Sequence, residues 1–204
     1  PVEKVSWSNA VRLPDDPGQV VVTDSRKGLY RLRVGDRIAQ LAMTTLPSET
    51  LGTIAGVGNT LMAAISGPAA DSVIGRDLVT LKEKFQRQMD GRVIWGPAAA
   101  GDQAVVMTDD QVIRGITTDG QLTFSIPVPK GLPVGDGDVD DGKILVVSES
   151  RWIVVIDPAS GEQVGLTQVG EPFSATPLVL KDRLLVPGDE GVVYVVKIPS
   201  GVSE

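Results

Sequence analysis

Short hydrophobic runs, each introduced by a polar turn of two or three residues, recur at a regular interval along this chain. Seven-residue segments that begin at Gly101, Asp141 and Lys181 superpose without gaps, and their starts lie 40 residues apart. Each segment predicts a turn followed by a strand, because Val, Ile and Leu suit a pleated, half-buried surface. Fainter copies of this unit begin at Pro17 and Gly58. The chain therefore carries five repeat anchors, near residues 17, 58, 101, 141 and 181.

Each repeat has room for four short strands. Four antiparallel strands in every 40-odd residues is the period of a propeller blade. The pattern predicts an all-β fold, a single β-propeller domain over residues 1–204 with about five four-stranded antiparallel blades. A β-sandwich is the alternative, but sandwiches do not require equal repeats. In the fourth repeat the predicted strands lie near 134–139, 143–148, 152–156 and 163–169.

One segment carries two periodicities. Leu78, Leu81, Phe85 and Met89 are spaced like one face of a helix. The phase of the repeat assigns them instead to strands three and four of the second blade. On that interpretation residues 66–77 form a long loop between strands two and three.

The chain begins and stops at matching positions of the repeat. Residues 2–7 align with the outermost strand of a blade, and the chain stops where that strand of the last blade should begin. We expect residues 2–7 to complete the last blade by pairing beside residues 191–198, since ring closure removes an exposed edge. The alternative is a five-blade segment of a larger propeller, which would pair its open faces by self-association or with another chain. The first residue is Pro1 rather than Met, as expected of a processed product or an excised piece.

Composition and charge narrow the classes of partner. The 23 Gly and 14 Pro require frequent turns, and the aromatic content of 4% leaves a core of Val, Ile, Leu and Ala. The net charge is −7, and no stripe of Lys and Arg offers a surface for phosphates, so nucleic acid is not a predicted partner. The sequence has no apolar run of about 18 residues, so direct insertion into a membrane is not predicted.

The chain contains no Cys and no His. This excludes thiol nucleophiles, disulfides, Cys/His zinc sites and Ser-His-Asp triads. No pair of carboxylates can be placed at catalytic separation from the sequence. We therefore predict no catalytic residues and no enzymatic activity.

The sharpest chemical feature is an acidic turn. Asp136, Asp138 and Asp140 alternate in the pattern of a calcium loop, because a hard cation prefers several oxygens on a tight turn. Asp141 stands where such loops usually carry Gly, and Val147 stands where they carry Glu. A solvated acidic turn is the alternative. Calcium is thus the one cofactor that the sequence suggests, with these three Asp residues as its candidate ligands.

Residues 175–196 resemble the quinoprotein-like (PQQ-like) β-propeller repeat. Residues 156–162 also resemble the Asp-x-x-Thr-Gly corner of that repeat, and the resemblance is good over residues 90–201 and weak over 1–89. It implies that Asp157 and Ser160 hydrogen-bond to the backbone of the corner, with Gly161 in an unusual backbone conformation. The Trp that normally follows the corner and docks between blades is replaced by Phe124 in the third repeat and by Gly165 in the fourth.

The resemblance implies a scaffold rather than an enzyme. The quinoprotein enzymes carry a neighbouring Cys pair at the cofactor, and this chain has no Cys. It is closer to the non-enzymatic branch, which includes an outer-membrane assembly lipoprotein and whose members bind proteins, often outside the cytoplasm. The sequence therefore predicts a non-enzymatic protein-interaction scaffold in an extracytoplasmic or periplasmic compartment. The alternatives are a calcium-binding or small-ligand-binding propeller, or a structural segment of a larger multi-domain protein.

Overall fold

The computed structural model describes residues 4–128, 131–134, 138–140, 142–170, 173, 177–188, 191–199 and 201–202. These residues form five β-sheets that follow one another along the chain, and consecutive strands within each sheet pair antiparallel. The all-β propeller prediction is confirmed, because each sheet is built around one blade of three or four consecutive strands.

The strand bounds follow the repeat. The first blade contains β1 (Val11–Arg12), β2 (Gln19–Thr23), β3 (Gly28–Arg33) and β4 (Ala39–Thr45). The second contains β5 (Thr50–Val57), β6 (Thr60–Ile65), β7 (Ser72–Asp77) and β8 (Glu83–Gln88). The third contains β9 (Val93–Ala100), β10 (Gln103–Thr108), β11 (Val112–Thr117) and β12 (Leu122–Pro127). The fourth contains β13 (Asp138–Asp140), β14 (Lys143–Val147), β15 (Trp152–Asp157) and β16 (Glu162–Gln168), and the fifth β17 (Leu178–Leu180), β18 (Arg183–Pro187) and β19 (Val193–Lys197).

The strands of the fourth blade lie close to their predicted positions. β14, β15 and β16 begin and end within one residue of the predicted ranges, and β13 covers the end of its predicted range, of which residues 135–137 lie outside the described residues. A short final strand, β20 (Gly201–Val202), pairs in parallel with β16 and widens this sheet to five strands.

Apolar side chains fill the spaces between neighbouring blades. One cluster joins the first and second blades, a second joins the second and third, and a third joins the fourth and fifth. Burial of aliphatic surface between sheets is the main stabilising term in such a fold. The low aromatic content predicted this kind of core, and its largest fully buried side chains are those of Leu, Ile and Met.

The predicted loop over residues 66–77 is wrong in its second half. Residues 72–77 form β7, which pairs with β6 along its whole length. Leu78 and Leu81 lie buried in the turn after β7, while Phe85 lies on β8. The helix-like spacing therefore comes from two buried turn residues and a strand residue that contribute to the apolar clusters on both sides of this blade.

The described part of the N-terminal segment pairs within the first blade. Trp7 forms an antiparallel bridge with Asp24, and the Ser8 amide donates to the carbonyl of Thr23. This segment thus adds to the end of the first blade, because its backbone groups find partners beside β2. Among the described residues, β19 pairs only with β18. Val2 lies outside the described residues, and closure of the ring by residues 2–7 stays a prediction.

The chain divides into two compact units, residues 1–110 with 116–121, and residues 111–115 with 122–204. The described part of the chain contains no helix long and apolar enough to cross a membrane.

The hairpin between strands two and three carries a left-handed residue in most blades. Lys27, Gln111 and Arg151 have φ of 69°, 61° and 71°, and Gly191 has φ of 76° in the fifth blade. A side chain in this region costs about 1–2 kcal/mol, whereas glycine adopts it freely. Only the fifth blade therefore has the residue that this turn favours.

Lys27→Gly is expected to raise the free energy of unfolding by about 0.5–1 kcal/mol, because relief of the left-handed strain exceeds the entropy that glycine adds to the unfolded chain. Urea denaturation measures the change. Lys143→Gly is the matched control, since Lys143 lies in the extended strand β14. That control should lose about 0.5–1 kcal/mol. If both variants change the free energy of unfolding in the same direction, strain at Lys27 is not the cause.

Candidate protein-interaction surface

The fifth blade carries an exposed apolar sheet face. We define the outer face of the fifth blade as Leu178, Leu180, Leu185, Val193 and Val195. Leu178, Val193 and Val195 are 62%, 57% and 56% exposed, and Leu185 is partly buried. These residues lie on one side of the sheet because cross-strand pairing places Leu185 opposite both Leu178 and Val195. Contiguous apolar surface of this kind marks interaction sites.

The opposite side of the same sheet is packed. Val179, Leu184, Val186 and Val196 belong to the apolar cluster shared with the fourth blade. Alternation of side chains along a strand separates the two faces. A β-sheet with one packed face normally places polar residues on the other. In the fifth blade the exposed cations Arg183 and Lys197 lie at one end of this face. The remainder of the face is apolar, and this departure from the rule makes it the leading candidate surface.

Aromatic side chains dock between blades where the family repeat would use Trp. Phe124 of β12 lies against Gly161 at the corner of the fourth blade. Phe85 of β8 lies over Gly75 in its own blade and reaches the corner of the third blade, where a Cβ on Gly120 would lie 2.7 Å from the Phe85 ring. The sequence singled out Phe124 but missed Phe85, although both stand about four residues beyond the corner of their own blades.

Gly165 occupies the docking position in the fourth blade for a different reason. It pairs with Gly201 of β20, and a Cβ there would overlap the carbonyl oxygen of Pro199. The absence of a side chain thus lets Pro199 and β20 lie directly on β16.

The corner predicted from the family resemblance is formed. The Asp157 carboxylate accepts from the Ala159 amide at 2.9 Å, and the Ser160 hydroxyl accepts from the Glu162 amide at 3.3 Å. Gly161 has φ of 70°, as the corner requires. The expected roles of all three residues are confirmed.

A second corner of this type closes the second blade, where the resemblance was weak. The Asp77 carboxylate accepts from the amides of Val79 and Thr80 at 3.0 and 2.7 Å and from the Thr80 hydroxyl at 2.9 Å. These bonds, led by that of the Thr80 amide, hold the pKa of Asp77 below its ordinary value. Leu81 has φ of 58° where the family corner has Gly. The Asp-x-x-Thr spacing from Asp77 to Thr80 was the available signal, and the missing Gly concealed it.

Asp71 is the most enclosed carboxylate of the second blade. It is 2% exposed, and its oxygens accept from the Arg92 guanidinium and the Val93 amide, both at 2.8 Å, and from the Gly67 amide at 3.2 Å. Burial alone would raise the pKa of Asp71, but the hydrogen bonds outweigh burial and lower it. Arg92 also donates to the carbonyl of Gly67 at 2.6 Å. This cluster ties the loop before β7 to the link between the second and third blades, which is a structural role.

Asp24 forms a similar anchor in the first blade. Its carboxylate accepts from the amides of Arg26 and Gly28 at 2.9 and 2.6 Å and from the Tyr30 hydroxyl at 2.8 Å. Burial opposes ionisation of Asp24, yet these hydrogen bonds lower its pKa. The hydrogen bond between Tyr30 and Asp24 raises the pKa of Tyr30. Trp7 lies over Tyr30 with ring centroids 5.4 Å apart.

The predicted calcium ligands lie in a part of the fourth blade whose side chains are not among the described ones. Asp136 lies outside the described residues, and Asp138 and Asp140 are described by their backbone alone, paired with Leu145 and Lys143 in β13. Elsewhere in the described chain no group of three or more carboxylates is arranged to hold a metal ion. Calcium binding by this turn stays a prediction.

A small groove lies between the first and second blades. It encloses about 150 Å³ and is lined in part by Gln19, Arg31 and Val79. Gln19 Oε1 and Arg31 Nε are buried there without hydrogen-bond partners, while Arg31 Nη1 donates to the Val79 carbonyl at 2.5 Å. The groove is below the usual range for a ligand pocket of about 300–1,000 Å³.

Solved β-propeller structures are similar to this chain. BamB from Moraxella catarrhalis, a PQQ-like β-propeller, superposes with a TM-score of 0.69 at 17% identity, covering 96% of this chain and 59% of that one. BBS1N, solved in complex with ARL6DN, superposes with a TM-score of 0.73 at 13% identity, covering 98% and 65%. A chain of the mitotic checkpoint complex gives a TM-score of 0.68 at 10% identity, covering 92% and 59%.

These similarities establish the fold. The chain spans about three fifths of the length of the propellers it matches. No family model matches the sequence, and no curated protein matches it.

Proposed function

We propose that this chain is a non-enzymatic protein-interaction scaffold that binds through the outer face of its fifth blade. The observation that carries the proposal is the exposure of Leu178, Val193 and Val195 on one side of a sheet whose other side is packed. Removal of such an apolar sheet face from water by another protein surface is energetically favourable.

The chemistry of the described chain supports binding rather than catalysis. Its enclosed carboxylates, Asp24 and Asp71, are committed to backbone amides and to Tyr30 and Arg92. The matched structures include propellers solved with protein partners, BBS1N with ARL6DN among them. The extracytoplasmic location implied by the family resemblance stays a prediction.

Affinity capture with the wild-type chain, Val195→Glu and Val79→Glu tests the proposal. We expect Val195→Glu to lose a protein that the other two baits retain, because a carboxylate would be buried without a partner at the contact. Val79 is the matched control, since it is 44% exposed and lies in a turn of the second blade. Retention of every captured protein by Val195→Glu would contradict a role for this face.

A further inference from the structure

Contacts between consecutive blades use equivalent residues. In the fourth blade, Leu145 and Ile153 share an apolar cluster with Leu184 and Val186 of the fifth. In the first blade, the equivalent positions of β2 and β3 are Val21 and Leu29, which share a cluster with Leu61 and Ala63 of the second blade. In the second blade they are Met62 and Val73, which share a cluster with Ala104 and Val106 of the third.

The outer face of the fifth blade is the next half of this same interface. Leu185, Val193 and Val195 stand 40 residues beyond Leu145, Ile153 and Val155, the residues with which the fourth blade covers the fifth. Their aliphatic character matches that of the buried equivalents, yet Val193 and Val195 are more than half exposed. The fifth blade thus exposes the positions that the fourth blade buries against its neighbour.

The first blade carries the complementary half. The hairpins of the first and fifth blades align through the bonds from the Asp24 amide to Gly28 and from the Gly188 amide to Val192. In this alignment Leu184, Val186, Tyr194 and Val196, the residues that cover the fourth blade, correspond to Val20, Val22, Tyr30 and Leu32.

We define the outer face of the first blade as Val20, Val22, Tyr30, Leu32 and Met43. Met43 belongs to it because it pairs with Tyr30 across β3 and β4, and it is 52% exposed. Val20, Tyr30 and Leu32 are partly buried, and Val22 is 8% exposed. All five residues are apolar or aromatic, as a blade contact requires.

We propose that two copies of this chain associate head to tail, with the outer face of the fifth blade of one copy packed on the outer face of the first blade of the other. This inference rests on the proposed function, since it names the partner of the same surface. It continues a contact that the chain already forms between three pairs of its own blades. Because the two faces differ, the contact is heterologous, and repeated association gives a closed ring or a growing row of copies.

Light scattering on the purified wild-type chain at increasing protein concentration gives the first test. We expect the measured mass to rise above the 21.5 kDa of one copy. Val195→Glu and Met43→Glu should each remain at one copy under the same conditions, with association weakened by about 100-fold or more, because each buries an unpaired carboxylate. Val79→Glu, the matched control, should associate like the wild type.

Mixing the two deficient variants gives the decisive test. Val195→Glu retains an intact first-blade face, and Met43→Glu retains an intact fifth-blade face. A head-to-tail contact therefore predicts that the mixture forms a one-to-one complex with twice the mass of one copy. Circular dichroism and thermal unfolding of each variant establish that it is folded before mixing.

Three outcomes would overturn the inference. The wild type could remain at one copy at every concentration, Met43→Glu alone could associate like the wild type, or the mixture could stay monomeric. If a monomeric wild type still captures a different protein through Val195, the self-association is wrong and the proposed scaffold stands. If the monomeric wild type also captures no protein that Val195→Glu loses, both the self-association and the proposed scaffold are wrong.

Discussion

Asp71→Ala is expected to lower the free energy of unfolding by about 3–5 kcal/mol, because it removes three hydrogen bonds to a charged group, each worth about 1.5–3 kcal/mol and not fully additive. The change removes the acceptor for Arg92, Val93 and Gly67 at once. Urea denaturation followed by tryptophan fluorescence measures the loss. Asp102→Ala is the matched control, because Asp102 lies exposed in the turn between β9 and β10, and it should change stability by less than about 0.5 kcal/mol.

Arg92→Ala separates the ion pair from the backbone bonds. Arg92 is 44% exposed in its side chain, so its loss leaves Asp71 with two amide donors and partial access to water. We expect about 1–3 kcal/mol for this variant, less than for Asp71→Ala. If Asp71→Ala lowers the free energy of unfolding by no more than Arg92→Ala does, the carboxylate does not hold this link together.

The contribution of Asp71 also depends on pH. Its pKa in the folded chain lies below the unfolded value of about 3.9, so the folded state favours the ionised form. The stabilisation is fully present above about pH 5 and is lost as pH falls through the folded pKa. The difference in stability between wild type and Asp71→Asn should therefore narrow on acidification.

Phe85→Ala is expected to cost about 2–4 kcal/mol, because the ring fills the space over Gly75 and against Gly120 and belongs to the cluster between the second and third blades. Phe124→Ala should lose a similar amount, since Phe124 packs in the same way against Gly161. Both losses are measured by urea denaturation.

Leu122→Ala is the control for the aromatic substitutions. Leu122 lies on β12 beside Phe124 in sequence but is 37% exposed, so its truncation should cost at most about 1 kcal/mol. If Phe85→Ala and Leu122→Ala cost the same, the aromatic ring does not dock the blades. Gly120→Ala should also destabilise the chain, because Gly120 has φ of 85° and its added Cβ would meet the Phe85 ring.

Most of the fold followed from local patterns. The 40-residue recurrence of turn and strand located the strands of the fourth blade to within a few residues, since a strand of alternating or wholly apolar residues bounded by turns is a local signal. The corner at Asp157 to Gly161 was equally local, because its hydrogen bonds connect residues at most four apart. The error over residues 66–77 arose where Leu78 and Leu81 imitate a helical period and β7 carries Gly75 at its centre.

The candidate surface depended on tertiary structure. The sequence presents Leu185 and Val195 as ordinary members of the repeat, equivalent to Leu145 and Val155. Only packing distinguishes them, because the fourth blade is covered by the fifth whereas Val195 remains exposed. The role of Phe85 likewise required the positions of Gly75 and Gly120, which lie in different strands and blades.

The sequence by itself determined the strand repeat, the propeller blades and the absence of Cys and His chemistry, because these depend on residue type and short-range spacing. Tertiary structure decided that Trp7 pairs with Asp24 and that Asp71 is enclosed by Arg92. Tertiary structure also decided which blade face stays uncovered. The reason is physical, since exposure and pairing across blades depend on contacts between residues far apart in sequence, and equivalent residues of a repeat become different only through what lies against them.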